Sequence, residues 1–198
     1  MKKPNVAVLQ ILLALFLGAG AASTFSSALA AGSPVVDMCE SHLERFSRQE
    51  NVPLGVLYAV GLTETGKKGR LHPYSLNVEG ESLILGSKEE ALQAFVIARK
   101  KGKKLIDLGC MQVNHYYHRK NFDSVEAMLD PEANIRYAAK LLKKLKQDNG
   151  SWTMAVALYH ASPRNKKAQR RYVCAVIGNL VATGFGGWTQ DSRKFCGR

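Results

Sequence analysis

Apolar residues recur at spacings of three and four along most of the chain, which is the pattern of helices that bury one face. The clearest case follows Pro131, where the apolar or small positions are Ile135, Ala138, Ala139, Leu142 and Leu145. Helix-starting and helix-ending residues border most such segments. The pattern predicts six helices, at about 37–50, 53–66, 87–100, 130–147, 151–163 and 166–181.

A different pattern follows the second helix, where apolar and polar residues alternate. Tyr74 to Val78 alternates, Glu79-Gly80 is a turn signal, and Ser82 to Leu85 follows. This order predicts a short β-hairpin. The segment 110–117 predicts a short helix or an irregular turn, and no element is predicted in the Gly-rich tail after Thr183. The predicted fold class is therefore mainly α, with one small hairpin, in one domain.

The first thirty residues have the layout of a secretory signal peptide. Lys2 and Lys3 precede an apolar run from Val6 to Ala22, and 28–30 reads Ala-Leu-Ala before Ala31. Cleavage there would leave 31–198 as a single exported domain. The alternative is a permanent N-terminal anchor, although the run is near the lower limit of about 17 residues for a spanning helix.

Export changes how the four cysteines are interpreted. An even number in an oxidising compartment indicates two disulfides. Four cysteines allow three pairings, of which we favour Cys174–Cys196 and Cys39–Cys110. The alternative is that some of them are buried free thiols. No Cys/His spacing fits a zinc site, so no metal is predicted.

The chain is basic, with a net charge of +12. The predicted leader holds two lysines and no acid, so the mature charge would be +10. Such a charge favours an anionic partner but does not choose among nucleic acid, membrane and acidic glycan. The sequence lacks a GxSxG elbow, an HExxH motif, a P-loop, a dinucleotide motif and a nucleic-acid-reading module. Nucleic-acid binding and a cofactor are therefore not predicted.

Glu64 is the candidate for chemistry, because it ends an otherwise apolar helix that includes 58–62. A carboxyl group at an apolar cleft has a raised pKa and can act as a general acid near neutral pH. The alternative from composition alone is an exposed Glu in the last turn of a helix.

Four motifs occur in an order that resembles the soluble lytic transglycosylase domain. They are Glu64-Thr65-Gly66, Gly109-Cys110-Met111-Gln112-Val113-Asn114, Asn134 with Tyr137-Ala138-Ala139, and Ala155-Val156-Ala157-Leu158-Tyr159-His160. The resemblance covers about residues 37–163 and implies a lysozyme-like α+β fold, with the hairpin near the active-site cleft. It leaves the basic C-terminal helix and tail, 164–198, outside. The chain is similar to small exported members associated with conjugation, secretion and other envelope-spanning machines.

The resemblance implies a mechanism with one acid and no cofactor. Glu64 would protonate the oxygen that joins N-acetylmuramic acid to N-acetylglucosamine and then act as base, while the muramoyl 6-hydroxyl closes a 1,6-anhydro ring. Asp107 is expected to cap the turn into Gly109 and not to act as a nucleophile. The implied substrate-binding residues are Thr65, Met111, Gln112, Asn114, Tyr159 and His160. Core packing for Met111 and a turn role for Asn114 remain alternatives.

The same resemblance implies a periplasmic enzyme whose partner is peptidoglycan, with no stable membrane anchor after signal cleavage. Local wall remodelling for a secretion or conjugation apparatus is the expected role, and the tail 183–198 is a candidate contact with that apparatus. Two alternatives stay open. One is a lysozyme-type muramidase that uses water, and the other is a peptidoglycan-binding assembly factor with little activity.

Overall fold

Helices make up most of the computed structural model, which describes residues 37–66 and 69–198. The predicted signal peptide therefore lies outside the described residues. The helices are α1 (Asp37–Glu50), α2 (Leu54–Thr65), α3 (Lys88–Lys100), α4 (His115–His118), α5 (Val125–Met128), α6 (Pro131–Asn149), α7 (Trp152–His160), α8 (Lys166–Ala182) and α9 (Gln190–Cys196), with a 3-10 turn at Arg119–Asn121. All six predicted helices are present, and the predicted fold class is confirmed.

Side-chain caps account for where the longer helices begin. Ser87, Asp130 and Ser151 each accept a hydrogen bond from the backbone N–H three residues on, which satisfies a donor that the helix leaves unpaired. Glu90 follows Ser87 at the spacing of a capping box, but the box is incomplete. The carboxylate of Glu90 accepts from the N–H of Gly86 instead of closing back onto Ser87.

The sheet is larger than the hairpin that the sequence predicts. β1 (Ser75–Val78) and β2 (Glu81–Ile84) form that hairpin, and β3 (Ile106–Leu108) and β4 (Val113–Asn114) extend it. The antiparallel order is β2-β1-β3-β4. Strands of two and three residues are too short to show alternation, so only their pairing defines them, β3 with β1 and β4 with β3.

Helix α2 lies at the centre of the core. Leu57, Ala59 and Val60 are fully buried, and α1 and α8 both pack against this helix. At Gly61 an added Cβ would lie 2.5 Å from the side chain of Leu71, so a larger residue here would force this buried leucine to move. Within the described residues, no helix is both long and apolar enough to cross a membrane.

Two disulfides join distant parts of the chain and confirm the favoured pairing. Cys39 of α1 bonds Cys110 in the turn between β3 and β4, and Cys174 of α8 bonds Cys196 of α9. The structure corrects the prediction for the tail, because α9 forms there. It begins with a capping box between Thr189 and a serine three residues on, and its last residue is held by the disulfide.

Candidate active site

The carboxyl group of Glu64 is nearly buried in the last turn of α2. Its side chain is 14% exposed, and desolvation raises its pKa to about 8. A hydrogen bond from Tyr172 opposes this rise, and the nearby charge of Asp107 adds to it. At neutral pH the group is therefore mostly protonated, which is the state that a general acid needs.

Tyr172, on the buried face of α8, is the direct partner of Glu64. Its hydroxyl donates a hydrogen bond of 2.5 Å to Oε1 of Glu64. Burial and the charge of Glu64 raise the pKa of Tyr172 well above its ordinary value, so the phenol keeps its proton and remains a donor.

The sequence interpretation missed Tyr172, although one signal for it exists. The buried positions of α8 recur at helical spacing: Ala168, Gln169, Tyr172, Val173 and Val176. A tyrosine within such a stripe needs a partner for its hydroxyl. The pattern indicates that a polar atom faces α8, but it does not identify Glu64.

His160 lies over the same pair of residues. Its ring stacks on the ring of Tyr172, with centroids 4.2 Å apart and parallel planes. Its Nδ1 lies 3.9 Å from Oε1 of Glu64. Burial and, secondarily, the charge of Arg171 lower the pKa of His160. The imidazole is therefore mostly neutral at neutral pH and does not form a full ion pair with Glu64.

The turn between β3 and β4 is organised by Asn134, which is fully buried at the start of α6. Its side chain donates to the carbonyls of Leu108 and Met128 and accepts from the N–H of Met111. Each polar atom of this side chain thus forms a hydrogen bond with a backbone group of a neighbouring segment. The glutamine motif is held in one conformation as a result.

Gln112 and Thr65, two predicted substrate contacts, bond to this backbone. Gln112 has a positive φ of 45°, and its amide nitrogen donates to the carbonyls of Ser75 and Gly109. The Thr65 hydroxyl donates to the carbonyl of Cys110 at 3.0 Å. Both residues connect the turn to the sheet or to α2, and their contact with substrate stays a prediction.

Met111 and Tyr159 are joined by a hydrogen bond. The side chain of Met111 is fully buried in the core, as the core-packing alternative expects. The hydroxyl of Tyr159 donates to the carbonyl of Met111 at 2.7 Å. Burial, the charge of Glu64 and that of Asp107, in that order, raise the pKa of Tyr159. Tyr159 is thus close enough to Glu64 for the charge of that carboxylate to affect it, while its hydroxyl bonds the backbone of Met111.

Asp107 and Asn114 form a pair beside this group. The amide of Asn114 donates to Asp107 at 2.7 Å, and its oxygen accepts from two N–H groups that begin α4. This geometry matches the turn role that the sequence left open as the alternative for Asn114. Asp107 does not cap the turn into Gly109 as expected, because the N–H of Gly109 donates to the carbonyl of Ser75. Desolvation raises the pKa of Asp107, and the bond from Asn114 partly offsets it.

The predicted site residues therefore fall into two groups. Glu64, Tyr159 and His160 lie together, with Tyr172 between them. Met111, Gln112, Asn114 and Thr65 belong to the turn or its contacts. Across residues 37–66 and 69–198, no group of three or more His, Cys, Asp or Glu side chains is arranged to hold a metal ion.

A mainly helical domain with a small antiparallel sheet and a buried glutamic acid at a helix end is consistent with an α-rich, lysozyme-like domain. The sequence profile of the transglycosylase SLT domain matches residues 45–178. That is more than half of the chain, and the chain therefore belongs to this family. The match begins and ends later than the resemblance indicated, and it includes most of the basic helix α8 with Tyr172.

Family membership gives the general activity, which is that of a lytic transglycosylase acting on peptidoglycan. This substrate lies outside the cytoplasm, and the two disulfides fit an exported protein. The chain has no match among the curated proteins and none among the solved structures.

Proposed function

We propose that the chain cleaves the β-1,4 bond between N-acetylmuramic acid and N-acetylglucosamine, with Glu64 as its single catalytic acid, and leaves 1,6-anhydromuramic ends. The observation that carries this proposal is the nearly buried carboxyl group with a pKa of about 8. Such a group holds a proton at neutral pH and can transfer it to a leaving oxygen.

The proton returns to Glu64 within one cycle. Glu64 donates its proton to the glycosidic oxygen, and the bond from that oxygen to the muramoyl anomeric carbon breaks. The muramoyl 6-hydroxyl then attacks this carbon and transfers its own proton to the Glu64 carboxylate. No water is consumed, and the enzyme is restored without a cofactor.

The neighbours of Glu64 support the two charge states that this cycle needs. Tyr172 donates to Oε1, and this bond stabilises the carboxylate that forms after the first proton transfer. We propose that His160, whose side chain is 47% exposed, contacts the sugar together with the half-buried Tyr159 and Asn114. Thr65 and Gln112 would form the floor of the same cleft, and Met111 would support it from the core.

Hydrolysis is the second candidate, because Asp107 lies near enough to contribute to the raised pKa of Glu64. A muramidase that activates water often uses a second carboxylate. Against this candidate, desolvation raises the pKa of Asp107, and Asn114 already occupies one of its oxygens.

The test is digestion of purified cell-wall sacculi followed by mass spectrometry of the soluble muropeptides. Products one water lighter than the reducing forms are expected, whereas reducing ends would favour the muramidase. Glu64→Gln should abolish release while the protein still pellets with sacculi. Glu89→Gln, an exposed residue of α3, is the control with the same change of charge. Release by Glu64→Gln at the parental rate would contradict the catalytic assignment.

We further propose that residues 1–30 direct export and are removed, leaving 31–198 as one domain in the periplasm that remodels the wall for an envelope-spanning machine. The two disulfides support an oxidising compartment, and the tail 183–198 is the proposed contact with that machine. N-terminal sequencing of the periplasmic protein should begin at Ala31. A retained Met1 in a membrane fraction would instead favour the anchor.

A further inference from the structure

The end of α3 and the loop that follows it form an exposed surface that is both apolar and basic. Three aliphatic side chains belong to it, Val96, Ile97 and Leu105, which are 47%, 53% and 42% exposed. Every residue from 99 to 104 is also exposed, and four of these six residues are lysines. We call this region the 96–105 surface. Single exposed apolar residues are ordinary, whereas several of them in one small region indicate a site of interaction.

The backbone holds this surface in one conformation. Gly102 has a φ of +80° and ends the helix, and its N–H donates to the carbonyl of Arg99. The N–H of Lys103 donates to the carbonyl of Ala98, so the chain folds back on the last turn of α3. The side chain of Arg99 also donates to the carbonyl of Lys103 at 2.8 Å. A partner therefore meets a preformed surface, which lowers the entropic cost of binding.

Most of the positive charge on this surface is not neutralised within the protein. The segment 96–105 contains no acid, and Glu79 pairs with Lys103 at 2.9 Å. Lys100, Lys101 and Lys104 form no ion pair with any residue that the structure describes. The helix dipole favours Lys100 in the last turn of α3 and extends to Lys101 just beyond it. It accounts neither for Lys104 nor for the aliphatic side chains beside these charges.

The residue types of this surface favour a lipid bilayer over a protein partner. Protein interfaces are enriched in aromatic residues and arginine and contain few lysines, whereas the segment 96–105 has four lysines, one arginine and no aromatic residue. A lysine can lay its apolar stem along hydrocarbon while its ammonium group stays in the aqueous headgroup region. Aliphatic side chains next to lysines are accordingly typical of segments that lie on anionic membranes.

Strand β3 separates this surface from the glutamine motif. The strand begins at Ile106, directly after Leu105. It ends at Leu108, and the turn that holds Gln112 follows. Its three residues span about 10 Å, and β1 pairs with the strand along this stretch. A partner on the 96–105 surface therefore binds at the end of the sheet opposite that turn.

We propose that the 96–105 surface docks the protein on an anionic phospholipid bilayer. The three aliphatic side chains enter the headgroup region, and the lysines pair with the phosphates of the lipids. The binding is reversible, because so few apolar groups contribute far less than a membrane-spanning helix. This role goes beyond the proposed cleavage of glycan, and it requires none of the residues at the candidate active site.

The first test is sedimentation of the protein isolated from the periplasm with vesicles. The parent should bind vesicles of phosphatidylglycerol and phosphatidylcholine in equal parts, and it should not bind phosphatidylcholine alone. Lys100→Gln with Lys101→Gln should lower the partition coefficient about 10- to 30-fold at low salt, since each lysine at an anionic surface contributes about 5-fold. The matched control is Lys166→Gln with Lys167→Gln, two adjacent exposed lysines of α8, which should partition like the parent.

The second test concerns the aliphatic side chains. Ile97→Ser should lower the partition coefficient several-fold, because the isoleucine leaves water when the protein docks. Its control is Ile84→Ser, since Ile84 is 42% exposed but pairs with Ser75 at the other end of the sheet. This control should bind vesicles as the parent does.

Three outcomes would overturn the inference. The first is a parent that binds neither kind of vesicle. The second is an equal loss of binding by a variant and its control, because net charge or apolar content alone would then explain the binding. The third is a Lys100/Lys101 variant that binds vesicles normally but sediments less with sacculi, because the surface would then face the wall.

These tests are independent of the proposed function. Glu64→Gln should bind vesicles as the parent does, whether or not it still cleaves glycan. Cleavage by this variant at the parental rate would contradict the catalytic assignment and leave the docking surface unaffected.

Discussion

The hydroxyl of Tyr172 donates a hydrogen bond of 2.5 Å to Oε1 of Glu64, across 108 positions of sequence. Burial raises the pKa of Glu64, and this bond is the largest influence that lowers it. The structure thus balances a dry environment, which favours the acid, against one donor that favours the carboxylate. A catalyst that must both give and take a proton needs such a balance.

Replacing Tyr172 by Phe removes the donor and leaves the ring in place. Because the bond lowers the pKa of Glu64, its loss should raise that pKa above about 8. The alkaline limb of the pH profile of kcat/KM should move to higher pH, and kcat should fall about 10- to 100-fold, since the carboxylate formed in the reaction loses its partner. Turnover measured from pH 5 to pH 10 checks both effects.

Tyr74→Phe is the control for the loss of a tyrosine hydroxyl, since that hydroxyl contacts the sulfur of Met38 and not Glu64. It should leave the alkaline limb where the parent has it. If the alkaline limb of Tyr172→Phe stays at the same pH as in the parent, the hydrogen bond does not lower the pKa of Glu64.

Glu64 should also make the stability of the protein depend on pH. Its pKa is about 8 in the folded state against 4.5 without the fold. Below pH 4.5 Glu64 is protonated in both the folded and the unfolded state, so its ionisation does not change the free energy of unfolding. Between these values the unfolded state releases it first, so stability falls as the pH rises and then levels off above pH 8. Each pKa unit corresponds to about 1.4 kcal/mol, so the loss reaches roughly 3–5 kcal/mol.

Glu64→Gln removes this titration, and its amide oxygen can still accept from Tyr172. The variant should therefore equal the parent in free energy of unfolding near pH 4 and exceed it increasingly up to pH 8. Urea denaturation of both proteins at several pH values measures the difference in their free energies of unfolding. The contributions of the other titrating groups cancel in this difference, because both proteins share them. A constant difference across this range would mean that Glu64 does not titrate with a raised pKa.

The disulfides should differ in accessibility and in stabilising effect. Cys39 and Cys110 are fully buried, whereas Cys174 and Cys196 are partly exposed, so mild reductant should open the latter pair first. The bridges join residues 71 and 22 positions apart. Loop entropy predicts a stabilisation of about 4 and about 3 kcal/mol, respectively. Alkylation mapped by mass spectrometry gives the order of opening, and equal rates for the two pairs would contradict it.

Local signals explain why most of the helices are predictable from the sequence. Asp130 and Ser151 cap helices with their own side chains, and the apolar spacing of α6 is visible over about three turns, from Ile135 to Leu145. The disulfide pairing was predictable only as one of three choices. The missed elements depend on tertiary contacts: β3 and β4 exist through pairing with the hairpin and with each other, and α9 is held by Cys196.

The candidate site divides in the same way. Glu64 is detectable because a single acid ends an apolar helix, and the family motif adds to that signal. Tyr172 belongs to no such motif in the sequence interpretation, and its role depends on how α8 packs on α2. The bonds of Gln112 and Thr65 to backbone carbonyls are likewise products of packing, which residue type and spacing do not specify.

Gly109 tests how tightly the turn beside Glu64 is built. It has φ of +78°, and an added Cβ would lie 2.6 Å from Nδ2 of Asn134. That nitrogen cannot move away without breaking its hydrogen bonds to two buried carbonyls.

Gly102 is the control, because it has a similar φ of +80° but no atom within 4 Å of an added Cβ. Its replacement by Ala therefore measures only the free-energy cost of the positive φ. Gly102→Ala should lower the free energy of unfolding by about 1 kcal/mol, and Gly109→Ala by about 3 kcal/mol or more, because a buried hydrogen bond is also lost. Urea denaturation compares the two variants. Equal losses would mean that Asn134 does not hold the turn as the structure indicates.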